Sequence, residues 1–218
     1  MDETQAGKYL TFKLADEGYG IPLLKVREII GMLPITGLPR TPAFVKGVIN
    51  LRGKVIPVTD LRLRFGMPEI GYGDRTCIIV VEVQDDNSVK CWEGKQCGKQ
   101  DCPAYENPDH RCWMISGTFC RNEIQGSYHE KVEACRKCDV YQSAMENKTV
   151  CTIGIVVDEV SEVMNISGEN IQPAPAFGAR VSTAFIHGMA NMEKNVKILL
   201  NIDRVLTAGE IDALREAA

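Results

Sequence analysis

Histidine is scarce in this chain, with three among 218 residues. Only His187 lies outside the cysteine-rich middle, and no serine–histidine–aspartate set or glycine-rich phosphate pattern accompanies it. That argues against a catalytic centre in those parts of the chain. There is no basic excess either: the formal net charge is −4, which provides no field to collect phosphates and disfavours nucleic acid as a partner. No apolar run approaches the roughly 18 residues that span a bilayer. The first residues, MDETQAGKYL, are polar and acidic and lack an apolar signal core. A cytoplasmic location without membrane insertion is the resulting expectation.

Cysteine is plentiful by contrast. Seven of the nine lie between positions 91 and 138. In reducing cytosol such a gathering points to metal or redox chemistry more than to a disulfide framework. Cys77 and Cys151 sit in apolar, strand-like runs and are expected to be small core residues.

The flanks alternate like strands. Leu10, Phe12 and Leu14 recur with period two, ADEGYG supplies a turn, and residues 9 to 23 are expected to form a hairpin. KVREII alternates again, with Val26 and Glu28 on one face. The three prolines and the glycine of LPITGLPRTP make it largely loop. VKGVINLRGKVIPVTDL reads as two strands around Arg52-Gly53-Lys54, with Pro57 expected on an edge or at an irregular position. Asp60 is placed to cap a short helix that stops at Gly66. TCIIVVEV is apolar on both faces and so a central strand. Residues 149 to 166 are long enough for a strand that bends, with Gly154 the expected bend. A last hairpin is expected to turn at Glu193-Lys194-Asn195. Thr207 and Glu210 then form a capping box, with Ile211 and Leu214 on one helical face. Many short strands with one small terminal helix argue a mainly β, barrel architecture.

Residues 84 to 148 break this pattern. Hairpin loops usually hold 2 to 5 residues, and adjacent strands lie about 5 Å apart, so a chain inserted between them is free to be a separate module. The expected organisation is a discontinuous flanking domain, 8–83 with 149–218, and an inserted module, 84–148. Large apolar side chains in that module are few, chiefly Trp92, Tyr105, Trp113, Ile115, Phe119 and Tyr141. A core this small rarely yields more than about 3–5 kcal/mol without a staple.

The flanks resemble the chemotaxis coupling protein family CheW. The residues that carry the resemblance are KYLTFKLADEGYGIPLLKVREI, LPRTPAFVKGVINLRGKVIPVTDLRLRFG, GIVVDEVSEVMNISGENIQPAP and MEKNVKILLNIDRVLTAGE. The resemblance implies two SH3-like five-stranded barrel subdomains and a non-catalytic adaptor. It implies as partners the histidine kinase CheA and the tips of methyl-accepting chemotaxis receptors. It assigns receptor contact to Val26, Glu28, Arg52, Val160 and Val163. Ordinary members have a short turn where this chain carries its insert.

The insert, with Cys91-Trp92, Cys97, Cys102-Pro103, Cys112-Trp113, Gly117-Thr118, Cys120, Cys135 and Cys138, resembles a small cysteine–tryptophan module, the two-CW domain. Its ligand has to be argued from the residues. Zinc favours paired C-x2-C knuckles, and only Cys135/Cys138 has that spacing; His110 and His129 offer further ligands. An iron–sulfur cluster also takes four cysteines, and a proline after a ligating cysteine is a familiar companion. More than four cysteines gathered here lean toward the cluster, and all seven are candidate ligands. The tryptophans are expected to shield the site. A covalent c-type haem is disfavoured because no histidine follows CRKC. The alternative is a thiol–disulfide redox protein using Cys135/Cys138, although no βαβ pattern surrounds the pair.

Overall fold

A computed structural model of the chain describes residues 6–85, 90–107, 111–120, 123–126, 128–146, 149–173, 185–192, 195–207 and 209–211. The chain divides into two compact units. The first runs through Val83 and resumes over Thr152–Val205; the second takes Gln84–Cys151 and Leu206–Glu216.

The first unit is built on two sheets. Strands β1 (Gly7–Leu14) and β2 (Glu17–Pro22) form the expected hairpin, closed at Leu14↔Glu17 by a tight turn with Ala15 at φ 53°. They join β8 (Glu159–Ile166), β9 (Ile171–Gln172), β10 (Ile186–Asn191) and β11 (Val196–Leu200) in the order β8-β1-β2-β11-β10-β9. The second sheet has the order β3-β6-β7-β5-β4, from β3 (Val26–Gly31), β4 (Val45–Leu51), β5 (Lys54–Asp60), β6 (Cys77–Asp85) and β7 (Thr149–Val157). The two sheets include the parallel neighbour pairs β11 with β2 and β5 with β7. The architecture is mainly β, two SH3-like subdomains.

Each sheet has its own core. Ile49, Ile56, Val58, Ile78, Val80 and Val156 pack on one, and Tyr9, Ile166, Ile171, Ala190 and Leu199 on the other. The aromatic series Phe12, Tyr19, Phe65 and Phe185, stacked at 5.9, 5.8 and 4.6 Å, ties the strands of one sheet to the segment after β5. Helix α1 (Leu61–Arg64) forms as expected: Asp60 Oδ1 accepts from the backbone N–H groups of Arg62 at 2.9 Å and Leu63 at 3.2 Å, and Gly66 follows at φ 74°. The capping box is also present, with Thr207 N–H donating to Glu210 Oε2 at 2.7 Å and Glu210 N–H to Thr207 Oγ1 at 3.3 Å.

Three expectations are corrected. The bend between β7 and β8 falls at Asp158, not Gly154. Asp158 Oδ2 accepts from Ala15 N–H at 2.7 Å and from Arg62 Nη1 at 2.6 Å, so a long-range polar node turns the chain. Gly154 serves close packing instead: a Cβ there would lie 2.8 Å from Ile78 Cγ2 and 3.3 Å from Val58 Cγ2. Pro57 belongs to an internal strand, opposite Val48 of β4. Its missing N–H is tolerated because the ladder to β7 starts only at Val58↔Gly154. Ile211, after the capping box, is buried. The positions 193–194 of the expected last turn, and Leu214, lie outside the described residues. Cys77 and Cys151 are half-buried rather than core.

Candidate functional site

Two places carry the expected functional residues. In the five-stranded sheet, β4 and β5 meet at a two-residue turn, Arg52-Gly53, whose φ values are 55° and 83°. Gly53 takes this region freely, whereas arginine is strained in it by about 1–2 kcal/mol. The turn is held by Gly53 N–H donating to Asn50 Oδ1 at 2.8 Å. The Arg52 side chain is 79% exposed and its Nη2 donates to Glu28 Oε2 at 2.8 Å, so the structure joins in one ion pair two of the five residues that the resemblance assigns to receptor contact. Val26 is half-buried on the same strand as Glu28. A bulge between them places two steps of β3 against one of β6.

Val160 and Val163 lie on β8 in the other sheet. They pair with Phe12 and Leu10, so three steps of β8 face two of β1. This bulge supplies the bend that lets two residues three apart share a strand face. Val163 is half-exposed and Val160 less so. No described contact links this pair to Arg52 and Glu28.

The second place is in the insert. Residues of α2 (Cys91–Gly94), α3 (Tyr128–Arg136), α4 (Asp139–Glu146) and the described loops between them line a partly open cavity of about 450 Å³. All seven insert cysteines stand on its wall. The local core is unusual in composition. Ala104, Trp113, Val140 and Ala144 pack with Cys91, Cys102, Cys112, Cys135 and Cys138, so sulfur supplies much of the packing that aliphatic side chains normally do. Trp113 is buried, lines the cavity and meets Tyr141 edge-on at 5.2 Å. Trp92 packs on Tyr105 at 5.9 Å and is absent from the wall, so only one tryptophan shields the sulfurs.

None of these thiols is in a disulfide, and they interact. The hydrogen bond between Cys91 and Cys112 holds the Cys91 thiol down at about 7, although burial opposes this. The same bond, with burial, pushes Cys112 far up. Cys102 Sγ accepts the Phe119 N–H at 3.4 Å, and Cys120 Sγ donates to Thr118 Oγ1 at 3.6 Å. Gly117, at φ 76°, turns this loop, and Gly117 N–H donates to Gln125 O at 2.7 Å.

Sequence reasoning missed Lys131. It is 1% exposed, on the α3 face shared with Cys135 four residues on. Its Nζ donates to Cys112 O at 2.7 Å, to Thr118 Oγ1 at 3.0 Å and to Ile115 O. Burial lowers its pKa, while the charges of Cys135, Cys112, Cys120 and Cys102 act to raise it. The i, i+4 spacing of Lys131 and Cys135 was the one sequence signal for this pairing.

The wall offers soft sulfur donors and a backbone N–H aimed at sulfur, a donor set that suits a thiophilic metal. Among the described residues, no three cysteine, histidine, aspartate or glutamate side chains are placed to hold one metal ion. His110 and the side chain of His129 lie outside the described residues. Also among these residues, no helix is long and apolar enough to cross a membrane.

Paired SH3-like subdomains, one presenting a strained, exposed arginine at a hairpin tip, define a β-scaffold protein. Residues 8–90 and 149–210 match the model of the CheW-like domain, and the chain belongs to that family. It is 27% identical over 209 residues to a chemotaxis protein CheW of Klebsiella aerogenes, covering 96% of this chain and 87% of that protein. A CheW of Rhizobium meliloti is 25% identical over 218 residues, with 96% and 99% covered. The crystal structure of the scaffolding protein TtCheW of Thermoanaerobacter tengcongensis superposes with a TM-score of 0.57 at 25% identity, covering 92% of each chain.

Proposed function

We propose that this protein is a cytoplasmic adaptor without chemistry of its own, which couples methyl-accepting chemotaxis receptors to the histidine kinase CheA. Arg52 carries the reading. A left-handed turn position that glycine or asparagine would fill with less strain instead holds an arginine, and its guanidinium stands in solvent. Strain kept at an exposed site fits a docking role, in which the guanidinium fork meets a partner carboxylate. Glu28 orients that fork, Val26 supplies apolar contact from the same strand as Glu28, and Val160 and Val163 supply it from the other sheet. Co-sedimentation of the Arg52→Glu protein with receptor arrays tests the assignment: binding is expected to fall at least tenfold with the fold intact, and unchanged binding rejects it.

The insert, in this proposal, is a metal- or iron–sulfur-binding module. A thiolate-bound metal would supply structural cross-linking among segments that otherwise share a thin core, and in cluster form a redox-responsive centre. Cys91, Cys97, Cys102, Cys112, Cys120, Cys135 and Cys138 are the residues able to hold it. The thiol–disulfide alternative is less well supported: Cys135 lies in the last turn of α3 and Cys138 directly precedes α4, so among the described residues no strand–helix crossover presents the pair.

A further inference from the structure

Besides its sulfurs, the insert cavity carries charge of one sign. Lys95, Lys99 and Lys137 line it, and among the described residues no aspartate or glutamate does. Lys95 and Lys99 follow α2 and Lys137 lies between α3 and α4, so folding rather than a run of sequence collects them. Lys95 and Lys137 are exposed and Lys99 is half-buried, which sets the cations on the solvent side of the wall. Lys95 is held by Asp139. Among the described residues, Lys137 enters no ion pair.

The body of the wall is apolar. Ala104, Trp113 and Val140 are buried there, and Phe119 and Tyr141 join them. Sulfur packs favourably against the edge of an aromatic ring, so the thiols extend this lining rather than interrupt it. The volume, about 450 Å³, lies within the roughly 300–1,000 Å³ of small-molecule sites, which combine an apolar lining with a few placed polar groups. A guest that uses both halves of the wall has an apolar ring and a negative charge. Lysine offers a point charge with three rotatable donors, so such a rim selects for charge more than for the shape of the anion.

We propose that the cavity binds a small aromatic carboxylate, its ring among Trp113, Phe119 and Tyr141 and its charge toward Lys99 and Lys137. The inference goes beyond the metal reading and concerns the chain without metal. A metal centre on the same cysteines takes the same space, so the two guests exclude each other.

The test uses the full chain, reduced and stripped of metal with a chelator, and titrates it by calorimetry with naphthoate and with its neutral isostere naphthamide. One naphthoate per chain is expected, bound at least tenfold more tightly than naphthamide, with the difference shrinking as salt rises. Lys99→Glu and Lys137→Glu are each expected to weaken naphthoate at least tenfold and to leave naphthamide within twofold, a split that loss of structure would not give. Lys8→Glu, exposed in the other unit, is expected to bind naphthoate like the parent. Zinc(II) is expected to block naphthoate, and full naphthoate binding beside bound zinc overturns the shared site. Equal affinity for the two probes, no naphthoate binding, or full binding by Lys137→Glu overturns the proposal. Loss of native circular dichroism on stripping also overturns it and upholds the metal reading. Zinc(II) uptake by a stripped chain that ignores naphthoate does the same. Naphthoate binding by a chain that takes up neither zinc(II) nor, with sulfide, ferrous iron overturns the metal reading and leaves the carboxylate site standing.

Discussion

Replacing Arg52 by asparagine separates what the hairpin tip does for stability from what it does for docking. Arginine at φ 55° carries roughly 1–2 kcal/mol of backbone strain, and asparagine is among the residues that tolerate this region best, so about 1 kcal/mol is regained. Against that stands the ion pair with Glu28 at 2.8 Å. The arginine side chain is 79% exposed, and solvent-screened pairs contribute about 0.2–1 kcal/mol. The Gly53 N–H bond to Asn50 is untouched, so the turn keeps its shape. The net is between about zero and +1 kcal/mol, which for a unit of this size raises Tm by up to about 4 °C. Docking moves the other way. A charge-assisted hydrogen bond lost from an interface is worth about 1.5–3 kcal/mol, a tenfold or greater loss of affinity. Thermal unfolding and co-sedimentation with receptor arrays, run on the same preparation, give both numbers. A variant that binds within twofold of the parent refutes the docking role. One that unfolds several degrees earlier refutes the strain.

Gly47→Ala is expected to lower the urea midpoint sharply, by upwards of about 3 kcal/mol, because its φ is 135° and a Cβ would lie 2.0 Å from Thr36 O. Asp158→Ala removes the shared acceptor of Arg62 Nη1 and Ala15 N–H and strands a largely buried guanidinium; about 2–3 kcal/mol of destabilisation is expected, read from the same denaturation curves. Tyr72 titrates late: burial first, then the charge of Asp60 and the hydrogen bond to it, push its phenol up to about 12. The unfolded chain gives up that proton near 10 while the folded chain holds it. The associated stability is whole below pH 10 and drains away as pH rises to 12. Alkaline denaturation of Tyr72→Phe should therefore be flatter across this window than that of the parent.

Features that depend on a few neighbouring residues were legible in the chain. The β1–β2 hairpin, the Asp60 cap with Gly66, the Arg52-Gly53 turn, the central strand β6 and the Thr207/Glu210 box all stand where turn chemistry and period-two patterning place them. The misreadings share a cause. Gly154 looks like a hinge because glycine permits bending, but its role comes from Ile78 and Val58, far away in sequence. Pro57 looks like an edge marker, yet which N–H groups a strand must offer depends on where its second neighbour begins. Helices α3 and α4 are hard to see in a cysteine-rich stretch with few aliphatic residues; the four-residue spacing of Val140 and Ala144 marks only α4.

Residue order alone determined the mainly β character, the family and the concentration of thiols in one segment, since strand period, turn residues and local composition are written over spans of a few positions. Tertiary structure decided that seven dispersed sulfurs face a common space beside Lys131, that Arg52 reaches Glu28, and that Asp158 rather than a glycine redirects the chain. These are meetings of residues from different turns and strands, and chain order carries no distance information beyond the reach of one element. Only packing, which selects the arrangement that buries apolar surface and leaves no charge uncompensated, brings such partners together.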